Sequence, residues 1–123
     1  MRVVICGDRN WKNEDVIEDY VRTLPPNSTV VHGDCRGADK IAGRMANRHG
    51  HSVTVVPANW EEYGKSAGPI RNQHMLTPRP DLVVAFHDDL KCSKGTKDMI
   101  MKANKAGIRV EIRTSCQTTY KEE

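Results

Sequence analysis

The best candidate for ligand chemistry is the segment 30–39, which reads as the end of a buried strand, a turn with two glycines and the first turn of a helix. Because Gly33 and Gly37 carry no side chains, backbone N–H groups in the turn can approach a ligand closely. The start of a helix adds a partial positive charge. These features together favour an anion, most often a phosphate. A turn that binds no ligand is the alternative, since glycine-rich strand-helix turns are common.

Charged side chains beside the two glycines extend this chemistry. Arg36 can donate a fork of charged hydrogen bonds to an anion. Asp39 falls inside the first helical turn, where its carboxylate would either hold loop N–H groups or accept from a ligand hydroxyl. Asp34 and Asp39 are also candidates for a general acid or base if the site is catalytic.

The elements that must position these residues alternate along the chain. Apolar runs predict five strands, at residues 2–6, 28–32, 52–56, 81–86 and 108–112. Amphipathic patterns and caps predict helices at about 14–24, after Gly37, at 69–76 and at 97–105, with a long loop at 58–68. This alternation predicts an α/β fold, a doubly wound sheet of about five parallel strands with helices on both faces. We expect residues 1–112 to form one domain and residues 113–123 a polar C-terminal tail.

The loops of such a sheet bring their side chains to one edge, because ligands bind at the carboxyl ends of the strands, near the point where the strand order reverses. Arginines at this edge would bind phosphate, and a flat base would stack on Trp11 or Trp60. The alternative is that these residues have only structural roles. In that case both tryptophans would close a small core, and Arg71 would hold loop carbonyl groups.

Charge and composition disfavour several classes of partner. The chain of 123 residues has a formal net charge of +3 and no strongly basic helix, so nucleic acid is an unlikely partner. No apolar run is long enough to cross a membrane. Four cysteines without a CxxC pair predict reduced thiols and a cytoplasmic protein. Because so small a chain has a limited core, we also expect a homo-oligomer.

Two histidine-aspartate pairs raise the question of a metal. His32 and Asp34 follow one strand, and His87 and Asp88 follow another. Their spacing matches no zinc pattern, so we predict no metal and no cofactor.

Several motifs together resemble one known family. They are the strand end at 7–11, the glycine turn at 32–39, the segment 57–60, the run 63–72, the strand at 81–86 and the turn Gly95-Thr96. In combination they are similar to the SLOG superfamily, a Rossmann-like group that includes the LOG-type cytokinin phosphoribohydrolases and the DNA-processing protein A family. Within this superfamily, the motifs resemble the small bacterial and phage-borne single-domain proteins. The resemblance extends over nearly the whole chain, from the first strand to the fifth.

This resemblance implies a nucleotide-type ligand at the strand ends. Arg71 looks like the counterpart of the arginine that acts in N-glycosidic cleavage by LOG enzymes, and Gly95-Thr96 looks like their phosphate-holding turn. The LOG glutamate lies three residues after the threonine, where this chain has Met99, and Asp98 would point elsewhere on a helix. Asp8 stands where similar proteins usually carry a small residue. Its carboxylate would repel a phosphate or accept from a ribose hydroxyl or a base amine.

The sequence therefore predicts a protein that binds a nucleotide or a nucleotide-derived signalling ligand, and senses or sequesters it. The alternative is a nucleotide hydrolase that cleaves an N-glycosidic or phosphoester bond, with Asp34, Asp39 or Asp98 as acid or base and Arg71 as charge stabiliser. DNA binding by analogy with the DNA-processing proteins is a weaker hypothesis. The predicted ligand-binding residues are Gly7, Asp8, Arg9, Trp11, Gly33, Asp34, Arg36, Gly37, Ala38, Asp39, Trp60, Lys65, Gly68, Arg71, Asn72, Gly95 and Thr96.

Overall fold

A computed structural model describes residues 1–115, which form one five-stranded sheet with helices on both faces. All neighbouring strands are parallel, in the order β3-β2-β1-β4-β5. The strands are β1 (Arg2–Gly7), β2 (Thr29–His32), β3 (Ser52–Val55), β4 (Leu82–Phe86) and β5 (Arg109–Arg113). The helices are α1 (Glu14–Arg22), α2 (Ala38–Arg48), the single turn α3 (Trp60–Tyr63), α4 (Ala67–Leu76) and α5 (Lys94–Lys105). The predicted fold class is confirmed.

The apolar run of β1 supplies both layers of the core. Val3 and Ile5 are fully buried against α1 and α2 on one face of the sheet, together with Phe86 of β4. Val4 is fully buried on the other face, where α4 and α5 pack and Met99 fills the core. Successive side chains of a strand point to opposite faces, so burial on both sides requires an unbroken apolar run.

The strand order reverses between β1 and β4. The chain first builds outward from β1 through β2 to β3, then crosses back to place β4 on the opposite side of β1. At the carboxyl end of this pair Gly7 lies opposite Phe86, and the N–H of Asp8 donates to the carbonyl oxygen of Phe86 at 2.9 Å. Because the connections leave β1 and β4 in opposite directions, a crevice opens above their ends.

Residues 58–68 are not the long loop that the sequence predicts. Asn59 starts the single turn α3, and its side chain accepts a hydrogen bond from the N–H of Glu62. A 3₁₀ turn (Gly64–Ser66) follows, and α4 begins at Ala67, two residues before Pro69. The expectation that Pro69 is the first helical residue is therefore wrong, although proline is tolerated anywhere in a first turn, where its missing N–H is not needed.

Helix α5 begins three residues earlier than the sequence predicts. Ser93 caps it, because its hydroxyl oxygen accepts a hydrogen bond from the N–H of Thr96 at 3.1 Å. Gly95 and Thr96 therefore lie within the first turn of the helix and not in a loop before it. The N–H groups of that turn, and not only those of the preceding loop, face the strand ends.

The end of the described chain is held near the same edge of the sheet. Strand β5 runs to Arg113, so the predicted tail begins too early. Ser115 donates from both its N–H and its hydroxyl to the carboxylate of Asp88, at 2.7 and 2.8 Å. The remainder of the predicted tail, 116–123, lies outside the described residues. Among residues 1–115 there is no helix with the length and apolarity needed to cross a membrane.

Candidate functional site

A cleft of about 440 Å³ opens at the point where the strand order reverses. We call it the switch-point cleft. It is lined by residues 6–10 at the end of β1, 87–89 at the end of β4 and 92–96 at the start of α5, with Cys35, Asp39, Arg71, Asn72 and Met75. It therefore lies where ligands of doubly wound sheets bind.

Arg71 of α4 forms one wall of this cleft, and its guanidinium contacts three groups, one on α4 itself and two in the loop between β2 and α2. Its side chain is 9% exposed. Nε donates to the side-chain oxygen of Asn72 at 3.0 Å, Nη1 donates to the carbonyl oxygen of Gly33 at 2.7 Å, and Nη2 lies 3.8 Å from the sulfur of Cys35. A guanidinium has five N–H groups, so two remain for a ligand. The sequence-based alternative, in which Arg71 clamps a loop carbonyl, describes only part of these contacts.

The positive charge of Arg71 has no ion-pair partner among residues 1–115. Its hydrogen-bond acceptors are an amide oxygen, a carbonyl oxygen and a thiol, and all of these are uncharged. Buried charges are usually paired, because burial removes the water that stabilises them. The guanidinium therefore favours an anion in the cleft beside it.

Asp39 is a buried carboxyl group whose charge acts on Arg71, but the two side chains form no ion pair within residues 1–115. Burial raises the pKa of Asp39 to about 6, although the N–H groups of Gly33 and Cys35 and the charge of Arg71 act in the opposite direction. One of its oxygens accepts from the N–H of Gly33 at 2.8 Å and from that of Cys35 at 3.5 Å. Of the two roles expected from the sequence, Asp39 clearly performs the first, which is to hold the loop.

The raised pKa of Asp39 predicts a pH dependence of stability. A carboxyl group whose pKa rises on folding stabilises the folded state most when it is protonated. The contribution of Asp39 to the free energy of unfolding is therefore complete below pH 4 and is lost as the pH rises through about 6. Relative to Asp39→Asn, the wild-type protein should lose up to about 3 kcal/mol of unfolding free energy over this range. Urea unfolding of both proteins at several pH values measures this. A constant difference between them would contradict the buried, raised carboxyl.

The start of α5 supplies hydrogen-bond donors on the same side of the cleft as Arg71. The N–H groups of Lys94 and Gly95 bond to no group within residues 1–115, as expected in the first turn of a helix. Asn72 joins this helix start to Arg71, because its amide donates to the carbonyl oxygen of Gly95 at 3.2 Å while its oxygen accepts from Arg71. A cation and a helix N-terminus, which both favour anions, are thus adjacent.

The start of α2, which the sequence singles out first, is covered. The N–H of Ala38 donates to the carbonyl oxygen of Asp8 at 3.1 Å and is not free for a ligand. Gly37 has a φ of +79°, and an added Cβ there would lie 2.4 Å from the same oxygen. At Gly33 an added Cβ would lie 2.1 Å from Nη1 of Arg71. In this structure the two glycines make room for the neighbouring loop and for the guanidinium.

Three carboxylates also line the switch-point cleft, and we call this part of the lining the acidic side. Asp8 follows β1, and Asp88 and Asp89 follow β4. The pKa of the Cys92 thiol is raised by its hydrogen bond to the carboxylate of Asp89 and also by the charge of Asp8, so both carboxylates lie near this thiol. The lining of the cleft therefore combines anion-binding groups with carboxylates that accept hydrogen bonds.

A second cleft of about 410 Å³ adjoins the first on the β2 side. We call it the side cleft. It is lined by Arg9, Gly33, Asp34, Cys35, Arg36, Pro57, Ala58, Trp60 and Arg71. Arg9, Cys35 and Arg71 line both clefts, so Arg71 lies at the wall that the clefts share.

Several residues predicted to bind ligand line neither cleft. Trp11 is buried, donates to the carbonyl oxygen of Asn13 at 2.8 Å and packs edge-on against Phe86, as the core alternative predicts. Asp98 pairs with Lys102 and accepts from Asn72, so it reaches the cleft only through that amide. The others outside the two clefts are Gly37, Ala38, Lys65 and Gly68.

Two of the three carboxylates that line this cleft, Asp88 and Asp89, are missing from the predicted set of ligand-binding residues, whereas Asp8 is in it. Asp88 and Asp89 follow β4 just as Asp8 follows β1, so the rule that loops at strand ends share an edge could have found them. Ser93, three residues before Thr96, carried a readable helix-cap signal. As for metals, no group of three or more His, Cys, Asp or Glu side chains within residues 1–115 is arranged to hold one.

Two comparisons with known protein sequences bear on the family of this chain. A family model described as YAcAr, the YspA, cpYpsA-related SLOG family, matches residues 1–63, which extend from β1 to the end of α3. The Gene 61 protein of Mycobacterium phage D29 is 41% identical over 118 residues, which cover 89% of this chain and 93% of the phage protein.

A solved structure shares the fold. The X-ray structure of DNA processing protein A (DprA) from Streptococcus pneumoniae superposes with a TM-score of 0.57 at 13% identity. The match covers 99% of this chain but 62% of the DprA chain, and at this identity it speaks for the fold alone. From the family model over more than half of its length and the phage relative over most of it, the chain belongs to the YspA, cpYpsA-related SLOG family.

Proposed function

We propose that this protein binds a nucleotide-type ligand in the switch-point cleft. The observation that carries the proposal is Arg71, a buried cation that faces the cleft without an ion-pair partner among residues 1–115. Membership of the SLOG family suggests a nucleotide-related role, which agrees with a phosphate at this position. The start of α5 adds N–H donors to the same place.

The acidic side of the cleft suits the rest of such a ligand. Carboxylates are hydrogen-bond acceptors only, so Asp8, Asp88 and Asp89 would receive hydrogen bonds from ribose hydroxyls or from the exocyclic amine of a base. The same carboxylates would repel a long chain of phosphates. The ligand in this cleft is thus one phosphate group attached to a part rich in hydroxyl or amine donors.

The direct test is the binding of adenosine 5′-monophosphate (AMP) to Gly95→Ala. Gly95 lines the cleft, and an added Cβ meets no atom within 4 Å, so the variant should fold normally. The methyl group would stand in front of the helix start and keep a phosphate away from its N–H groups. We expect AMP affinity to fall about 10-fold in isothermal titration calorimetry, the loss of roughly one charged hydrogen bond.

Gly68→Ala is the matched control for this experiment. Gly68 also lies in the first turn of a helix, it lines neither cleft, and an added Cβ would make an ordinary 3.6 Å contact with Trp60. Its AMP affinity should equal that of the wild type. Failure of the wild type to bind AMP or other nucleoside monophosphates would refute the proposed function.

A second candidate function, hydrolysis of the nucleotide, is favoured by one observation. Of the three carboxyl groups considered as acid or base, Asp39 alone lines the switch-point cleft, and burial raises its pKa to about 6. Asp34 is exposed and paired with Lys40, and Asp98 lines a different surface. A carboxyl that titrates near neutral pH can donate a proton to a leaving group. Release of adenine or adenosine from AMP would decide for hydrolysis, whereas recovery of intact AMP would decide for binding.

A further inference from the structure

The side cleft has a charge balance unlike that of the switch-point cleft. Arg9, Arg36 and Arg71 line it, and the carboxylate of Asp34 already pairs with Lys40 at 2.9 Å. The hydrogen bond from Lys40 and the positive charge of Lys40 both lower the pKa of Asp34. Within the part of the chain that the structure describes, Arg36 makes one side-chain hydrogen bond, from Nη2 to the side-chain oxygen of Asn10 at 3.3 Å, which leaves further N–H groups for a ligand. Anionic groups are therefore favoured on this side of Arg71.

An exposed tryptophan lies beside these arginines. Trp60 is 56% exposed, although tryptophan is usually among the largely buried residues. It begins the single turn α3, which Asn59 caps. Pro57 and Ala58 form the neighbouring part of the lining. An open aromatic face next to arginines is the combination that binds a flat base attached to a phosphate.

The two clefts are joined through the side chains that they share. Arg71 lines both, and its guanidinium is fixed by Asn72 on the switch-point side and by the carbonyl oxygen of Gly33 on the side-cleft side. Arg9 also lines both. A phosphate bridge held at Arg71 would therefore have one arm in each cleft.

We infer that the side cleft is a second subsite, for an aromatic base flanked by phosphate, and that one ligand spans both clefts across Arg71. The inference rests on the proposed function, since it needs a phosphate at Arg71. It identifies the ligand class as two nucleoside-like units joined through phosphate. One unit lies against the acidic side of the switch-point cleft, and the base of the other stacks on Trp60.

The test compares three soluble ligands by calorimetry on the full-length chain. AMP has one base and one phosphate, ADP-ribose adds a second phosphate and ribose without a second base, and diadenosine 5′,5′-diphosphate adds the second base. We expect the diadenosine compound to bind about 10-fold more tightly than ADP-ribose, because stacking of one base on an aromatic ring is of this size. Trp60→Ala should remove this difference and leave AMP affinity unchanged.

Tyr63→Ala is the matched control, because Tyr63 is an exposed aromatic residue of the same helical turn that lines neither cleft. It should retain the full preference for the diadenosine compound. Fluorescence gives an independent readout, since the chain has two tryptophans and Trp11 is buried. The diadenosine compound should quench the emission of the wild type and leave that of Trp60→Phe unchanged.

The possible failures are distinguishable. If AMP binds but the diadenosine compound binds no better than ADP-ribose, or if Trp60→Ala keeps the preference, the second subsite is refuted and the proposed function stands. If AMP itself does not bind, the proposed function fails and the inference fails with it.

Discussion

Arg71→Met is expected to lower AMP affinity by about 100-fold or more, the largest effect on binding that the structure predicts. The variant removes two free N–H groups and the charge that faces the switch-point cleft. Two charge-assisted hydrogen bonds contribute roughly 3 kcal/mol or more, which corresponds to this factor. Calorimetric titration with AMP measures the loss. Arg71→Lys keeps the charge but not the planar fork, and should fall between the variant and the wild type.

The fold should survive this substitution. Methionine leaves two acceptors without their donor, the side-chain oxygen of Asn72 at the switch-point cleft and the carbonyl oxygen of Gly33 at the side cleft. A buried acceptor that loses its donor costs about 1–3 kcal/mol. Arg44→Met is the control, since Arg44 pairs with Glu14 on the outer surface and lines neither cleft. It should bind AMP as the wild type does. Unchanged AMP affinity in a folded Arg71→Met protein would show that Arg71 is only a clamp.

Gly7→Ala is expected to destabilise the protein by about 3–5 kcal/mol, the largest effect on folding. An added Cβ would lie 2.2 Å from the carbonyl oxygen of Phe86 and 2.9 Å from Cβ of Ala38. Gly7 also has a φ of +154°, which side-chain-bearing residues rarely adopt. The crowding and the backbone strain each cost about 1–3 kcal/mol. Because β1 and β4 are central strands, neither backbone can move without disturbing the sheet.

Urea unfolding measures this loss, and Gly95→Ala is again the useful comparison. Both changes add one methyl group to a glycine that lines the switch-point cleft, but the methyl group at Gly95 enters open space. Its effect on stability should stay below about 1 kcal/mol, the range of helix propensities. Equal stability of Gly7→Ala and the wild type would mean that β1 and β4 are not in the register described above.

The fold could be predicted because its signals are local. The unbroken apolar run of β1 and the alternation of strands with helices follow from burial on both faces of a parallel sheet. The side chain of Asn13 caps α1, since it accepts a hydrogen bond from the N–H of Val16, and asparagine before an amphipathic run is a local helix-start signal. Errors arose where a short polar signal decides the element. Ser93 caps α5, which therefore begins earlier than predicted, and Asn59 caps a helical turn in a segment that was predicted to be a loop.

The candidate site could be predicted only in outline. The rule that strand ends share an edge brought Asp8, Arg71 and Gly95 into one group, and the structure places all three on the switch-point cleft. The sequence could not show what each glycine makes room for, because the absence of a Cβ allows either a ligand or a neighbouring chain segment to approach. Gly37 and Gly95 look equivalent in the sequence. In the structure, the loop after β1 occupies the space where a Cβ of Gly37 would lie, whereas a Cβ of Gly95 would enter open space.

The sequence by itself determined the order of elements, the edge of the sheet where the polar loops meet and the residue types available there, because hydrophobic periodicity and turn chemistry are local properties. Only the tertiary structure decided which helix start is open, that Arg71 is buried without an ion-pair partner among residues 1–115, and that two clefts meet at its guanidinium. These features depend on contacts between segments far apart in the chain, such as Arg71 with Gly33 and Ala38 with Asp8. Patterns within a short stretch of sequence do not show which distant residues come into contact, so these features could not be predicted from them.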